Sequence, residues 1–399
     1  MSKRKIAIIG AGIAGLTLAY ALHKDGRFDL KIIVSKDAED IRNGRILSTQ
    51  AHFEALLQTE SRFGIPDYGA VNEVRKIELL VNGQKLFKGN LKCRAVSQDQ
   101  RVYLSALMDG LSSLGVEIRK KRLSESDLSG LAEQFDLMID CTGKAGPVAS
   151  FPVYRELANT PQSPPRVIAA GMFHGLMPEE SNIMSYNIVP GQGELFETAT
   201  VTKQGLSGSL LLEAIPGSEL DCMKGIKGPE DFVKRLLGML QAYFPHIRER
   251  INEDEFRLAD PLSYVQMAIQ PAIRIPYTTV NGTLTVGCGD SVALNDPITG
   301  QGANAASYCA NVLYALIAEH AHEAWDEAFG ERYWRQSQEY VTKMSEWTNA
   351  MMGPPSESFS AMLGRAAQDQ ATADEFVTLF ADPIAAHRLF FAPLEAAKA

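Results

Sequence analysis

The sequence has no apolar run near the roughly 18 to 20 residues that a membrane span needs. Its polar opening "MSKRK" leads directly into the strand-like "IAIIG", so a soluble, cytoplasmic protein without a targeting segment is expected. Basic charge is in deficit, with 39 Lys and Arg against 48 Asp and Glu and no basic stripe, which argues against nucleic acid as the main partner. Cysteine is scarce: Cys93, Cys141, Cys222, Cys288 and Cys309 are odd in number, widely spaced and without a CxxC pair. That pattern excludes a disulfide framework and a zinc site, and suits a reducing compartment. His320 and His322 stand two apart on a helix-like stretch and do not face each other, so a solvated helix face is the reading there. There is no Ser-His-Asp order, paired-carboxylate motif, metal cluster, internal repeat or low-complexity segment. His174, after the strand-like "VIAAGMF", is read as a core or edge histidine.

The 399 residues suffice for two or three domains. The apolar run Lys5 to Ile9 is followed by Gly10-Ala11-Gly12-Ile13-Ala14-Gly15, a helix-like stretch closed by Gly26, and the strand-like "LKIIVS". In this GxGxxG turn Gly10 permits the tight bend, Gly12 lets backbone approach a pyrophosphate, and Gly15 lets helix and strand pack closely. The helix start offers N–H groups to the phosphates. An acidic residue for the adenosine ribose is expected after the second strand, but Ser35 stands there with Asp37 beyond it. Either could reach the ribose, or both could be solvated turn residues.

Further along, "VRKIELLVNGQKLFKGNL" holds two strand-like runs around Asn82-Gly83, a hairpin signal. The helix "DQRVYLSALMDGLSSLG" and the strands "VEIRKK" and "FDLMIDCTG" return to α/β alternation. A second β-rich excursion covers about Met172 to Leu212 and precedes the helix "EDFVKRLLGMLQAYF". From about Tyr308 the chain reads as helical, broken once at Pro354-Pro355.

The stretch "GCGDSVALNDPITGQGANAAS" packs four glycines between a strand and a helix, more than a turn needs. Asp290, then Pro297, Gly300, Gln301, Gly302, Ala303 and Asn304, resemble the second flavin-binding segment of FAD-dependent aromatic hydroxylases. The resemblance implies that Asp290 accepts hydrogen bonds from the ribityl chain and that the backbone from Gln301 to Asn304 opens a helix beneath the pyrimidine end of the ring. A glycine-rich helix cap is the plainer alternative. The superfamily's "ADG" segment with Ser and Arg, tied to NADPH use, is replaced here by Asp140-Cys141-Thr142-Gly143-Lys144. The WxWxIP segment of flavin-dependent halogenases is absent.

"EQFDLMIDCTGK", "VPGQGELFE", "GDSVALNDPITGQGANAASY", "GRILSTQAH" and the GxGxxG turn together resemble the oxygenase subunit of two-component styrene and indole monooxygenases, from residue 5 to about residue 380. That resemblance implies an α/β fold: a Rossmann-like FAD-binding domain with an inserted β-sheet substrate domain and C-terminal helices, aromatic hydroxylase-like. It implies FAD supplied as FADH2 by a transient, NADH-dependent flavin reductase. Reaction with O2 would form a C4a-hydroperoxyflavin that epoxidises a small aromatic substrate: styrene to its oxide, indole to the 2,3-epoxide or indoxyl and so to indigo. No side chain is then needed as a general base. A self-sufficient NADPH-dependent hydroxylase and a non-catalytic reduced-flavin-binding protein are the competing readings. Oligomeric state, a homodimer included, stays open.

On this resemblance the FAD-binding domain takes residues 1–70, 94–170 and 270–320, the substrate domain 71–93 and 171–269, and the C-terminal helical region 321–399. Arg45 and Arg101 resemble arginines placed near the dinucleotide, with a surface salt bridge or a helix-face cation as the alternatives. Ser48, Gln50, His52, Val74 and Ile77 fall where the family lines its substrate pocket, and all except His52 match the indole-preferring pattern. Alternation would turn Ser48, Gln50 and His52 to one face of an extended segment, where polar groups could meet the indole N–H. Flavin or backbone contacts for Ser48 and Gln50, and sheet core for Val74 and Ile77, are the alternatives.

Overall fold

Ile6 and Ile8 in the strand Arg4–Ile9, and Ile32 in Phe28–Val34, have no exposed surface, as strands covered on both faces require. The two strands pair in parallel from Arg4 opposite Phe28 to Ile9 opposite Ile33. The helix Ile13–Asp25 connects them and ends at Gly26, whose φ of 74° is the left-handed cap that glycine adopts without strain. The computed structural model describes residues 3–66, 71–157 and 159–393, and the expected domain limits at residues 1, 70 and 399 lie outside them.

These strands belong to a six-stranded sheet in the order Tyr277–Val280, Thr283–Gly287, Leu137–Asp140, Arg4–Ile9, Phe28–Val34, Glu117–Lys120. Only the pairing of Tyr277–Val280 with its neighbour is antiparallel. The chain leaves Arg4–Ile9 in one direction toward Phe28–Val34 and returns on the other side with Leu137–Asp140. The strand order therefore reverses at Arg4–Ile9, and a crevice opens at the carboxyl ends of the strands.

A nine-stranded sheet forms the second layer, in the order Arg257–Leu258, Val167–His174, Gly205–Ala214, Gly193–Thr202, Ile183–Val189, Asn72–Val81, Gln84–Asp99, Thr49–Phe53, with Tyr264–Ala268 also on Val167–His174. Asn82 and Gly83, at φ 49° and 74°, make the hairpin turn between Asn72–Val81 and Gln84–Asp99. The sheet takes in more chain than residues 71–93 and 171–269. The sixteen residues of Gln84–Asp99 outrun their hairpin partner, and the far end pairs with Thr49–Phe53, Thr49 opposite Asp99. Asp99 then caps the helix Gln100–Ser113 by accepting the Arg101 N–H at 2.9 Å.

One face of this sheet carries Ala51, Phe53, Val74, Ile77, Leu79 and Phe87. Helices Glu327–Met351, Glu357–Ala366, Gln370–Thr378 and Pro383–Phe391 cover it with Trp347, Phe359, Phe376 and Phe390, and Pro354-Pro355 lies between the first two helices. Elsewhere Phe232, Leu236 and Leu240 of the helix Pro229–Tyr243 pack on Phe173, Leu210 and Leu212. Among the described residues no helix is long and apolar enough to cross a membrane, and no group of three potential ligands could hold a metal.

The C-terminal helices dock closely at Gly89, where a Cβ would stand 2.4 Å from the Ala373 carbonyl oxygen and 2.8 Å from Val377 Cγ2. Gly89→Ala should therefore destabilise the protein by about 1–3 kcal/mol, read as a lower urea midpoint. An unchanged midpoint would mean that this helix is not seated there.

Candidate dinucleotide and substrate site

The three glycines of the first turn occupy three different environments. A Cβ on Gly10, at φ +110°, would lie 2.2 Å from the Cys141 carbonyl oxygen, and one on Gly15 would lie 2.4 Å from the Gly10 oxygen. Both positions are closed by backbone. A Cβ on Gly12 would meet nothing within 4 Å. The turn thus keeps open space over Gly12 while its ends are locked. Gly12 is also the N-cap of the helix Ile13–Asp25, with no side-chain cap and no acidic residue in the first turn. The helix start is left as an anion-accepting end.

The glycine-rich second segment approaches the first: a Cβ on Gly289 would lie 2.9 Å from Ala14 Cβ. Asp290 lies in the single turn Gly289–Ser291, and its Oδ1 is 4.0 Å from where a Gly302 Cβ would stand. Burial pushes its carboxyl up to about 6, with the Lys144 ammonium opposing, and no described side chain or backbone group hydrogen-bonds it. Pro297 opens the turn Pro297–Thr299, which Asp296 caps by accepting the Ile298 N–H at 3.1 Å. Gly300, at φ +67°, reverses the chain into the helix Gly302–Glu319. That helix again has no side-chain cap and no acid in its first turn.

The polar side chains of this segment are committed to bracing it. Gln301 donates to the Phe380 carbonyl at 2.7 Å and to the Thr299 carbonyl at 3.0 Å, and Thr299 shares a 2.8 Å hydrogen bond with Thr348. The Asn304 amide accepts the Phe53 N–H at 2.9 Å and donates to the Ala51 carbonyl at 3.1 Å and the Gly300 carbonyl at 2.9 Å. At Gln301 and Asn304 it is therefore backbone, with Ala303 between them, that stays available to a ligand. Asn304 also fastens the edge strand Thr49–Phe53 to the helix.

Arg45 and Arg101 line one shallow cleft with Lys36, Gly44, Leu47 and Gln100, but they are not equivalent. Arg45 is exposed, stacks its guanidinium 4.2 Å over the Tyr264 ring and spends one donor on the Tyr264 carbonyl at 2.9 Å. Arg101 is buried, and its N–H groups are all engaged by Asp99, Asp260, Ser263 and the Gly44 carbonyl. A guanidinium with five donors spent has none for a phosphate, so the expectation that Arg101 binds the dinucleotide is corrected to a rivet beneath the cleft. Asp37 is likewise occupied, capping a short helix and pairing with Lys120 at 2.9 Å, while Ser35 is exposed.

The five expected pocket residues divide between the two faces of the nine-stranded sheet. Phe53, Ala95 and Val74 stand side by side in register, and Val74 and Ile77 are buried in the apolar cluster under the C-terminal helices. Ser48, Gln50 and His52 alternate onto the opposite face. Ser48 donates to Gln100 Oε1 at 3.1 Å, and His52 is wholly buried between Gln50 at 3.1 Å and Gln98 at 3.2 Å. The five do not form one wall, because successive side chains of a strand point to opposite faces. Lys144 was not foreseen: it bridges to the Leu47 carbonyl at 2.7 Å and sits beside Asp290. Nor was Gln98, because the strand that presents it was expected to stop before it.

A family model described as the styrene monooxygenase A substrate-binding domain matches residues 143–250. The styrene monooxygenase StyA of a Pseudomonas species is 34% identical over 400 residues, spanning 96% of this chain and 94% of that protein. The chain belongs to the styrene monooxygenase family. StyA of Pseudomonas fluorescens is 32% identical over 395 residues, with the same coverage. The fold recurs in solved structures of low identity. The flavin-dependent brominase Bmp2 superposes with a TM-score of 0.70 at 14% identity over 99% of this chain and 97% of its own. PqsL of Pseudomonas aeruginosa, described as "a probable FAD-dependent monooxygenase", reaches 0.67 at 14% identity over 92% of this chain and 99% of its own. The chain thus has the aromatic hydroxylase-like α/β fold expected from the sequence.

In this styrene monooxygenase relative the Asp290 carboxyl has a folded-state value of about 6 against an ordinary 3.8. Its proton is held more tightly folded than unfolded. The cost of its charge is therefore absent below about pH 4, grows between about 4 and 6, and is complete above. Asp290→Asn should stabilise the cofactor-free protein at pH 7 but not at pH 3.5, as read from urea unfolding at both, and should weaken FAD binding. Equal midpoints at pH 7 would mean that Asp290 is not strained.

Proposed function

We propose that the protein is the oxygenase component of a two-component flavoprotein monooxygenase that takes reduced FAD from an NADH-dependent flavin reductase and uses O2 to epoxidise aryl alkenes, indole in preference to styrene. The observation that carries the reading is the glycine turn, open at Gly12 and closed at Gly10 and Gly15, facing a second glycine segment with a half-buried Asp290 that no described group hydrogen-bonds, in a chain of the styrene monooxygenase family.

The residues present suit FAD. The helix start at Gly12 and the spare donors of Arg45 would hold the pyrophosphate, since both are positive and uncommitted. Asp290 would accept from the ribityl hydroxyls, which would favour its charged form against the burial that disfavours it. The backbone of Gln301 to Asn304 would lie along the ring. Bound and reduced, FAD supplies the activated dioxygen, so the chain contributes position, dryness and electrostatics. The N–H groups opening Gly302–Glu319 favour negative charge at that end of the site. Lys144, reaching from Asp140-Cys141-Thr142-Gly143 to Leu47, places a cation beside Asp290. The preference for indole rests on Ser48 and Gln50, because Val74 and Ile77 are core residues on the far face.

Protein supplied with FAD, NADH, a generic flavin reductase and indole should turn blue, and with styrene should yield styrene oxide, while omission of the reductase should abolish both. Substrate-stimulated oxidation of NADPH by the protein alone would sink the two-component reading.

A further inference from the structure

The buried histidine between two glutamines has a consequence for substrate choice. Gln50 and Gln98 are direct partners across the ladder of Thr49–Phe53 and Gln84–Asp99, and His52 stands next in line on the same face. Burial lowers His52 to about 4, so at neutral pH the ring is uncharged and has one donor and one acceptor nitrogen. The ring is held on two sides, with Tyr103 edge-on at a centroid distance of 5.0 Å.

The two amides, as they stand, give the chain of hydrogen bonds a direction. Gln98 Nε2 donates to His52 Nδ1 at 3.2 Å, and His52 Nε2 donates to Gln50 Oε1 at 3.1 Å. In this arrangement the Gln98 carbonyl and the Gln50 amino group are not used by the histidine. Both glutamines are half-buried, whereas His52 has no exposed surface. His52, expected as a pocket residue, is thus placed behind the wall and acts through its neighbours. The glutamines follow Ser48, which bonds Gln100 at the cleft shared with Arg45 and Leu47. Asn304 fastens the same strand to the helix that begins at Gly302.

We propose that the Gln98 carbonyl, oriented by His52, is the acceptor for the ring N–H of an aromatic heterocycle, and that it selects indole over aryl alkenes without such a donor. This rests on the function proposed above and adds the residue that discriminates between its substrates. A buried N–H left without a partner is costly, and a fixed acceptor removes that cost only for substrates that carry one. His52 is a positioning residue, since its nitrogens are already engaged.

The experiment compares indole, N-methylindole and styrene as substrates of the native protein with FAD, NADH and a flavin reductase, and then of Gln98→Met and His52→Leu. The native kcat/KM for indole should exceed that for N-methylindole about 5- to 10-fold, the discrimination of one neutral hydrogen bond. Gln98→Met should bring that ratio close to one, and His52→Leu should lower it in the same direction. A ratio unchanged in a folded, flavin-binding Gln98→Met protein would overturn the assignment. So would a native ratio of one with all three substrates oxygenated, although the monooxygenase reading would then stand. If the native protein oxygenates none of the three, that reading fails and the assignment with it. Where a variant folds poorly, titration of indole against N-methylindole on the protein holding oxidised FAD reads the same ratio as a binding preference.

Discussion

The side-chain amide of Asn304 holds together the parts from which the site is made. It satisfies one donor and one acceptor of Thr49–Phe53, the edge strand of the nine-stranded sheet, and ties down the carbonyl of Gly300 at the start of its own helix. An open sheet edge is a row of unpaired backbone groups. Here it is the surface against which the second glycine segment is set. Apolar packing between the two sheets is strong but indifferent to register. With the Asn304 amide, the helix amino end and the polar face of Thr49–Phe53 are held at one spacing.

The C-terminal helices act in the same sense. Their aromatic residues bury one face of the large sheet, while Phe380 and Thr348 offer a carbonyl and a hydroxyl to Gln301 and Thr299. The segment Pro297 to Asn304 is thus fixed from the sheet on one side and from these helices on the other. The resulting loop has small side chains where the proposed flavin ring would approach, and its larger polar side chains are engaged in bracing it. Charge is placed differently. Arg101 is enclosed by two carboxylates beneath the cleft, while Arg45 keeps donors to spare at its rim.

Much of this was legible in the chain itself. Gly10 and Gly15 are closed by backbone and Gly12 is open, as the spacing led one to expect, because a strand, a tight turn and a helix leave little freedom at those positions. Asn82-Gly83 fixed a hairpin for the same reason. Burial on both sides was equally plain in the isoleucine-rich strands. What escaped was whatever depends on pairing between distant segments. Nothing local says that Gln84–Asp99 outruns its hairpin, so the partnership of Gln50 with Gln98 was invisible. The irregular register between Val74 and Lys76 belongs to that same long strand. Arg101 was misjudged because Asp260 and Ser263, which consume its donors, are some 160 residues away in sequence. Family position alone placed Val74 and Ile77 beside Ser48, although the sheet lies between them.

The bracing of the glycine segment is made of neutral groups: Asn304, Gln301 and the Thr299–Thr348 pair. Hydrogen bonds between uncharged partners are not weakened by mobile ions, whereas surface ion pairs are screened over about 8 Å at physiological ionic strength. The geometry offered to a ring should thus be insensitive to salt even where the rim around Arg45 is not. Ionic strength would then alter how readily an anionic cofactor enters while leaving the shape that receives it unchanged. On the function proposed, in which the cofactor arrives from solution at every cycle, capture and fit become separately adjustable quantities.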